Sequence, residues 1–116
     1  MIASVIIPTR NKRTLLARTL AALEALAACP EDWEIIVVDD ASTDGTADLL
    51  AASAARPGSR LRVVRCAANV GRAAARNRGA EAATGRWLLF LDDDILAGPG
   101  LLAAHLSRLD AGADVG

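Results

Sequence analysis

The chain has 116 residues, 13 basic and 14 acidic side chains, a formal charge of −1 and 53% apolar residues. At that length one domain buries roughly two-thirds of its unfolded surface, and the apolar content excludes intrinsic disorder. Near-neutral charge, with Trp33, Trp87 and Phe90 as the only aromatics, excludes a nucleic-acid binder, which needs a basic field and stacking platforms.

Ser4 to Pro8 is a β-branched run that reads as a strand stopped by its proline. From Lys12 to Ala28, Leu15, Leu16, Leu20, Leu23 and Leu26 recur at helical spacing, with Arg18 and Glu24 off the stripe. Cys29 to Asp32 breaks that helix. Trp33 to Val38 reads as a second strand whose last four residues do not alternate, as expected of a strand covered on both faces. Asp39 to Asp44 is a polar loop, in which Asp44 or a neighbouring hydroxyl can cap a helix running from Gly45 to Ala55. Leu61 to Arg65 is a third strand, Arg72 to Ala83 a third helix, and Trp87 to Leu91 a fourth, fully apolar strand. Pro99 suits the first turn of a fourth helix reaching Leu109.

Strict alternation of strands and helices predicts an α/β fold: one open, mainly parallel, Rossmann-like sheet with right-handed crossovers and flanking helices. Ligands of such sheets sit beyond the carboxyl ends of the strands. Five carboxylates fall there, Asp39, Asp40, Asp92, Asp93 and Asp94. Alternation along the chain lets Asp92 and Asp94 converge while Asp93 points away. Hard oxygen ligands without histidines or paired thiols favour Mg2+ or Mn2+ over zinc. Asp39, the last residue of its strand, faces the crevice and can accept from a ribose hydroxyl or a pyrimidine imide N–H. Arg72 and Arg76 share one helix face near an N-terminus and can meet a diphosphate. Arg78 reads as solvated, and His105 as structural.

Cys29 and Cys66 lack any CxxC or histidine neighbour and read as buried thiols of a reducing compartment. Met1 to Pro8 has no signal-peptide character, and Leu15 to Cys29 carries Arg18 and Glu24, so it does not read as a membrane span. A cytoplasmic domain is expected, with attachment to the membrane face left to a segment outside this chain. The chain carries 26 alanines and twelve arginines to one lysine, a coding bias that leaves individual arginines weak as functional signals.

Four segments together resemble a known family: Ser4-Val5-Ile6-Ile7-Pro8-Thr9-Arg10-Asn11, Ile36-Val37-Val38-Asp39-Asp40-Ala41-Ser42-Thr43-Asp44-Gly45-Thr46, Asn69-Val70-Gly71 with Ala75-Arg76-Asn77-Arg78-Gly79, and Leu89-Phe90-Leu91-Asp92-Asp93-Asp94. In this order and spacing they are similar to the GT-A-fold family 2 glycosyltransferases. The resemblance implies transfer of a sugar from a nucleoside-diphosphate donor, of UDP or GDP type, to an acceptor hydroxyl, usually with inversion. It implies that Asp39 binds the nucleobase and that Pro8 and Thr9 line the nucleotide pocket, with Asn11, Asp40 and Asp93 among the donor-binding residues. Asp92 and Asp94 match the DXD motif that holds Mn2+ or Mg2+ and the donor, and Arg76 is assigned to donor phosphate.

The family's general base lies downstream of the DXD motif, so it is expected beyond Gly116. The chain therefore reads as a single donor-binding domain, residues 1–116, ending before the acceptor half. The acceptor, whether glycan, lipid or protein, is not specified. Loss of the cover that later strands give the fourth strand predicts self-association. Two other classes share parts of the pattern. A receiver domain also binds Mg2+ through an acidic pair at about this length, but here the pair follows the second strand and the only lysine is Lys12. A nucleotidyltransferase of GT-A-like fold normally carries a glycine-rich basic loop after strand one, and Pro8 to Arg13 has no glycine.

Overall fold

A computed structural model describes residues 3–24 and 33–91. They form β1 (Ala3–Thr9), α1 (Arg13–Glu24), β2 (Trp33–Asp39), α2 (Thr46–Ala54), β3 (Leu61–Arg65), α3 (Arg72–Ala82) and β4 (Trp87–Phe90). The strands make one parallel sheet in the order β3-β2-β1-β4. The expected fourth helix, Cys29 and the Asp92-Asp93-Asp94 run lie outside the described residues.

Each central strand has apolar side chains on both faces because helices cover both. Val5, Ile7, Ile35 and Val37 pack with Leu16, Leu20 and Leu23 of α1 and Leu50 of α2. On the opposite face Ile6, Ile36 and Val38 pack with Ala75 of α3 and Cys66. β1 and β2 are buried at every position, which is why β2 shows no polar alternation. The edge strands differ. β3 buries Leu61 alone, and β4 exposes Leu88 and Phe90 at 40% and 48%.

β1 runs one residue past the expected stop at Pro8. A strand residue points its N–H and C=O to the same side. The Ile6 carbonyl accepts from Leu91 N–H on the β4 side, and β4 pairing ends at Ile6. Pro8, two residues on, therefore turns its nitrogen toward β4 beyond the last paired residue, and its missing donor breaks no ladder bond.

At the amino end of the sheet, buried Glu34 ties four elements together. Its carboxylate accepts from Ser4 Oγ at 2.6 Å, Thr84 N–H and Thr84 Oγ1 each at 2.9 Å, and Arg62 at 2.7 Å. Burial alone would raise its pKa, but these donors outweigh it and hold the group down at about 2. Ser4 Oγ also accepts from Gly85 N–H at 2.8 Å, so the α3–β4 turn lies flat on the start of β1. No β-carbon fits at Gly85: one would lie 2.5 Å from the backbone of Ala3 and Ser4.

Candidate functional site

β2 and β3 run outward from one side of β1, and β4 lies on the other, so strand order reverses between β1 and β4. Crevices for ligands form beyond the carboxyl ends of strands at such a reversal. Pro8 and Thr9 end β1 there, Asp39 ends β2, and Asp92-Asp93-Asp94 follow β4 in the chain. A cleft of about 180 Å3 opens at this end. Pro8, Thr9 and Asp40 line it together with three cations, Arg10, Lys12 and Arg72. A hollow of about 240 Å3 between Leu20, Leu23, Ile35 and Arg56–Leu61 is larger. It has no carboxylate and lies toward the starts of β2 and β3, away from the strand ends where the chemistry converges.

Thr9 and Asp39 are register partners, and Thr9 is buried. Beyond them the chain turns sharply through Ala41, whose φ of 60° is left-handed. A non-glycine residue held there carries strain, a feature that clusters at functional sites. The turn brings Ser42 N–H back onto Asp39 Oδ1 at 3.0 Å. The other oxygen, Oδ2, pairs with the Arg65 guanidinium at 2.7 Å, and the Asp39 side chain is 1% exposed. Arg65 was not among the expected site residues, because on sequence it is one of twelve arginines, at the end of the third strand.

Asp40 has a different environment from its neighbour. Its Oδ1 accepts from Val70 N–H at 2.7 Å and its Oδ2 from Gly71 N–H at 3.0 Å. The carboxylate thus caps the entry to α3 from across the sheet and occupies backbone donors that would otherwise greet an anion at that helix start. Asp40 still lines the cleft. Of the arginine pair expected to share a face of α3, Arg72 lines the cleft and Arg76 is half-buried and does not.

Asn11 joins the two loops at the rim. Its N–H donates to Ser42 Oγ at 2.9 Å, and its Oδ1 accepts from Thr43 N–H at 2.7 Å. Asp44 serves both helices on that face, as the cap expected of it and more. Oδ1 accepts from Thr46 N–H at the start of α2, and Oδ2 from Arg13 N–H at the start of α1, both at 3.1 Å. The Thr46 hydroxyl also donates to Oδ1, and that bond, with smaller help from backbone donors, lowers the carboxyl pKa against desolvation. Ser42-Thr43-Asp44 is therefore scaffold for the rim, while Asp39 and the cleft residues stand on it.

Among the described residues no three His, Cys, Asp or Glu side chains converge as a metal site; the expected ligands Asp92 and Asp94 lie outside them. The sequence pattern of Glycosyl transferase family 2 matches residues 4–115. Validoxylamine A glucosyltransferase of Streptomyces hygroscopicus subsp. limoneus is 44% identical over 108 residues, covering 88% of this chain and 23% of its own length. Among solved structures, S. aureus TarS in complex with UDP-GlcNAc aligns with a TM-score of 0.77 at 30% identity, over 96% of this chain and 32% of its own. The mannosyltransferase PcManGT from Pyrobaculum calidifontis, in complex with GDP-Man and Mn2+, aligns with a TM-score of 0.78 at 30% identity, over 87% and 30%. This chain thus spans about a quarter to a third of the length of these proteins. The parallel sheet of reversed strand order, the carboxylate-ended β2 and a match running nearly end to end agree with one another: the chain belongs to glycosyl transferase family 2.

Proposed function

We propose that residues 1–116 are the donor-binding domain of a glycosyltransferase that moves a sugar from a nucleoside-diphosphate sugar to an acceptor hydroxyl, with inversion and with a divalent cation. The observation that carries this reading is the rim itself. A buried carboxylate acceptor, Asp39, stands beside Thr9, next to a cleft edged by Arg10, Lys12 and Arg72. That pairs an acceptor for a base N–H with cations suited to a diphosphate. Asp39 takes the base, Pro8 and Thr9 flank it, and Arg72 joins Arg76 as a candidate for phosphate.

Asp92 and Asp94 would hold the cation, with Asp93 beside the donor. A donor set of carboxylate oxygens, with no thiolate or imidazole nearby in the chain, fits Mn2+ or Mg2+. When bound, such an ion offsets the charge that develops on a departing diphosphate. Relatives solved with UDP-GlcNAc and with GDP-Man support a donor of one of these two types. A cytoplasmic site of action is part of the proposal; no helix among the described residues is long and apolar enough to cross a membrane.

Calorimetric titration of UDP and GDP, each with and without Mn2+, tests the reading. One diphosphate should bind, at least about tenfold more tightly with Mn2+, and Asp94→Asn should abolish the Mn2+ effect. Failure of both diphosphates, in this chain and in one extended past Gly116, overturns it.

A further inference from the structure

This inference rests on the reading of Asp39 as the base-binding residue. A carboxylate that is 1% exposed is closed to the edge of a planar base, so one of its present partners has to leave first. Those partners differ in freedom. Ser42 N–H is main chain, in a turn fixed by the left-handed Ala41 and by the Asn11 N–H bond to Ser42 Oγ. Arg65 reaches Oδ2 with the tip of a long side chain that is 50% exposed, from the last residue of edge strand β3. Its second nitrogen finds only the Ser42 carbonyl, at 3.4 Å. Arg65 is therefore the partner of Asp39 that can depart without unmaking a turn.

We propose that Arg65 is a latch on Asp39: its guanidinium sits at Oδ2 where the N–H of a nucleobase binds, and donor entry swings it outward. The base N–H and the guanidinium are rival donors for one acceptor. In the empty protein the latch keeps a buried charge paired and its carboxylate ordered, which burial of an ion demands. Because the arginine side is half in water, the pair is weak and salt-sensitive, so a ligand can replace it. Arg65 is accordingly a positioning residue that sets the affinity for the base, acting through Asp39.

A neutral nucleoside isolates this effect, since it carries no phosphate to engage the cleft cations or a metal. Uridine and guanosine are titrated into the chain by NMR at low and at near-molar salt. Wild type should bind one of them more tightly at high salt, where the latch is screened. Arg65→Met keeps the side-chain stem and removes its donors; it should tighten binding by about two- to fivefold, the range a half-exposed ion pair allows, and lose the salt effect. Arg65→Lys, which restores a charge, should bring the salt effect back. A role limited to holding the fold would leave that salt response unchanged.

Asp39→Asn separates the two readings. If it abolishes binding while Arg65→Met leaves affinity unchanged or weaker, base recognition stands and the latch is wrong. If Asp39→Asn binds as wild type does, the base reading fails and the latch with it. Absence of nucleoside binding in both wild type and Arg65→Met also overturns the latch, because freeing Asp39 would then admit nothing.

Discussion

Carboxylates at the two ends of this sheet do opposite work. Glu34 at the amino end is saturated with donors, while Asp39 at the carboxyl end is bonded once by a fixed main-chain group and once by a movable side chain. Glu34 illustrates how a buried charge becomes a stability term. Its folded pKa of about 2 lies below the ordinary 4.5, so its contribution is complete above pH 4.5 and is lost as pH falls from there toward 2. The linkage is on the order of 3 kcal/mol. Urea midpoints measured down through this range should fall more steeply for wild type than for Glu34→Gln, which lacks the titrating group. Parallel slopes for the two proteins would show that Glu34 contributes nothing to the acid sensitivity.

Three of the residues expected at the site are legible in sequence only as types. Asp39 and Asp40 are adjacent carboxylates at the end of one strand, and chain position marks Asp39 as the strand's last residue without giving the partners of either. In three dimensions Asp40 holds the start of α3 while Asp39 faces Arg65, because alternation along an extended chain sends neighbours to opposite sides. Asn11 was expected among the donor-binding residues, and its hydrogen bonds run to the Ser42-Thr43 loop.

At the scale of elements, hydrophobic period and turn residues placed each described strand and helix to within a residue or two; the expected end of α1 at Ala28 lies outside the described residues. The signal was strong because central parallel strands are uniformly apolar and the helices between them are not. Gly79 shows what the period could not reveal. It sits inside α3, where glycine costs about 1 kcal/mol relative to alanine. A β-carbon there would lie 2.5 Å from Ile6 Cγ2 and 2.9 Å from Val38 Cγ2, on side chains that are fully buried in the sheet. β-Branched methyls cannot turn aside, so glycine is what lets α3 lie close on β1 and β2. Gly79→Ala should destabilise by about 1–2 kcal/mol, overpacking exceeding the gain in helix propensity. An unchanged or higher urea midpoint would show that the sheet yields at that point.

For the whole molecule, both rims of the sheet are edges among the described residues, and they differ in kind. β3 carries Arg62 and Arg65, charges that discourage pairing, whereas β4 presents Leu88 and Phe90. Their exposure of 40% and 48% supports the proposal that the chain self-associates through this face. Sedimentation should show mass rising with concentration, and Phe90→Lys should return the protein to a monomer. A single monomeric boundary at high concentration for wild type would sink the idea.

Alternation of apolar strands with amphipathic helices was enough to specify a parallel α/β sheet, and chain position alone sent Asp39 and Asp40 to its carboxyl edge. Both follow from local rules: periodicity decides which face is buried, and right-handed crossovers decide which end of every strand points the same way. Only the tertiary structure decided that Asp40 is engaged by α3, that Asp44 caps two helices at once, that Glu34 is clamped and that Arg65 covers Asp39. Those contacts join residues 26 to 50 positions apart or choose between neighbours of the same type, except where Asp44 meets Thr46. Pairing of that kind depends on which side chains the packed sheet brings within reach, and a linear pattern carries no record of it.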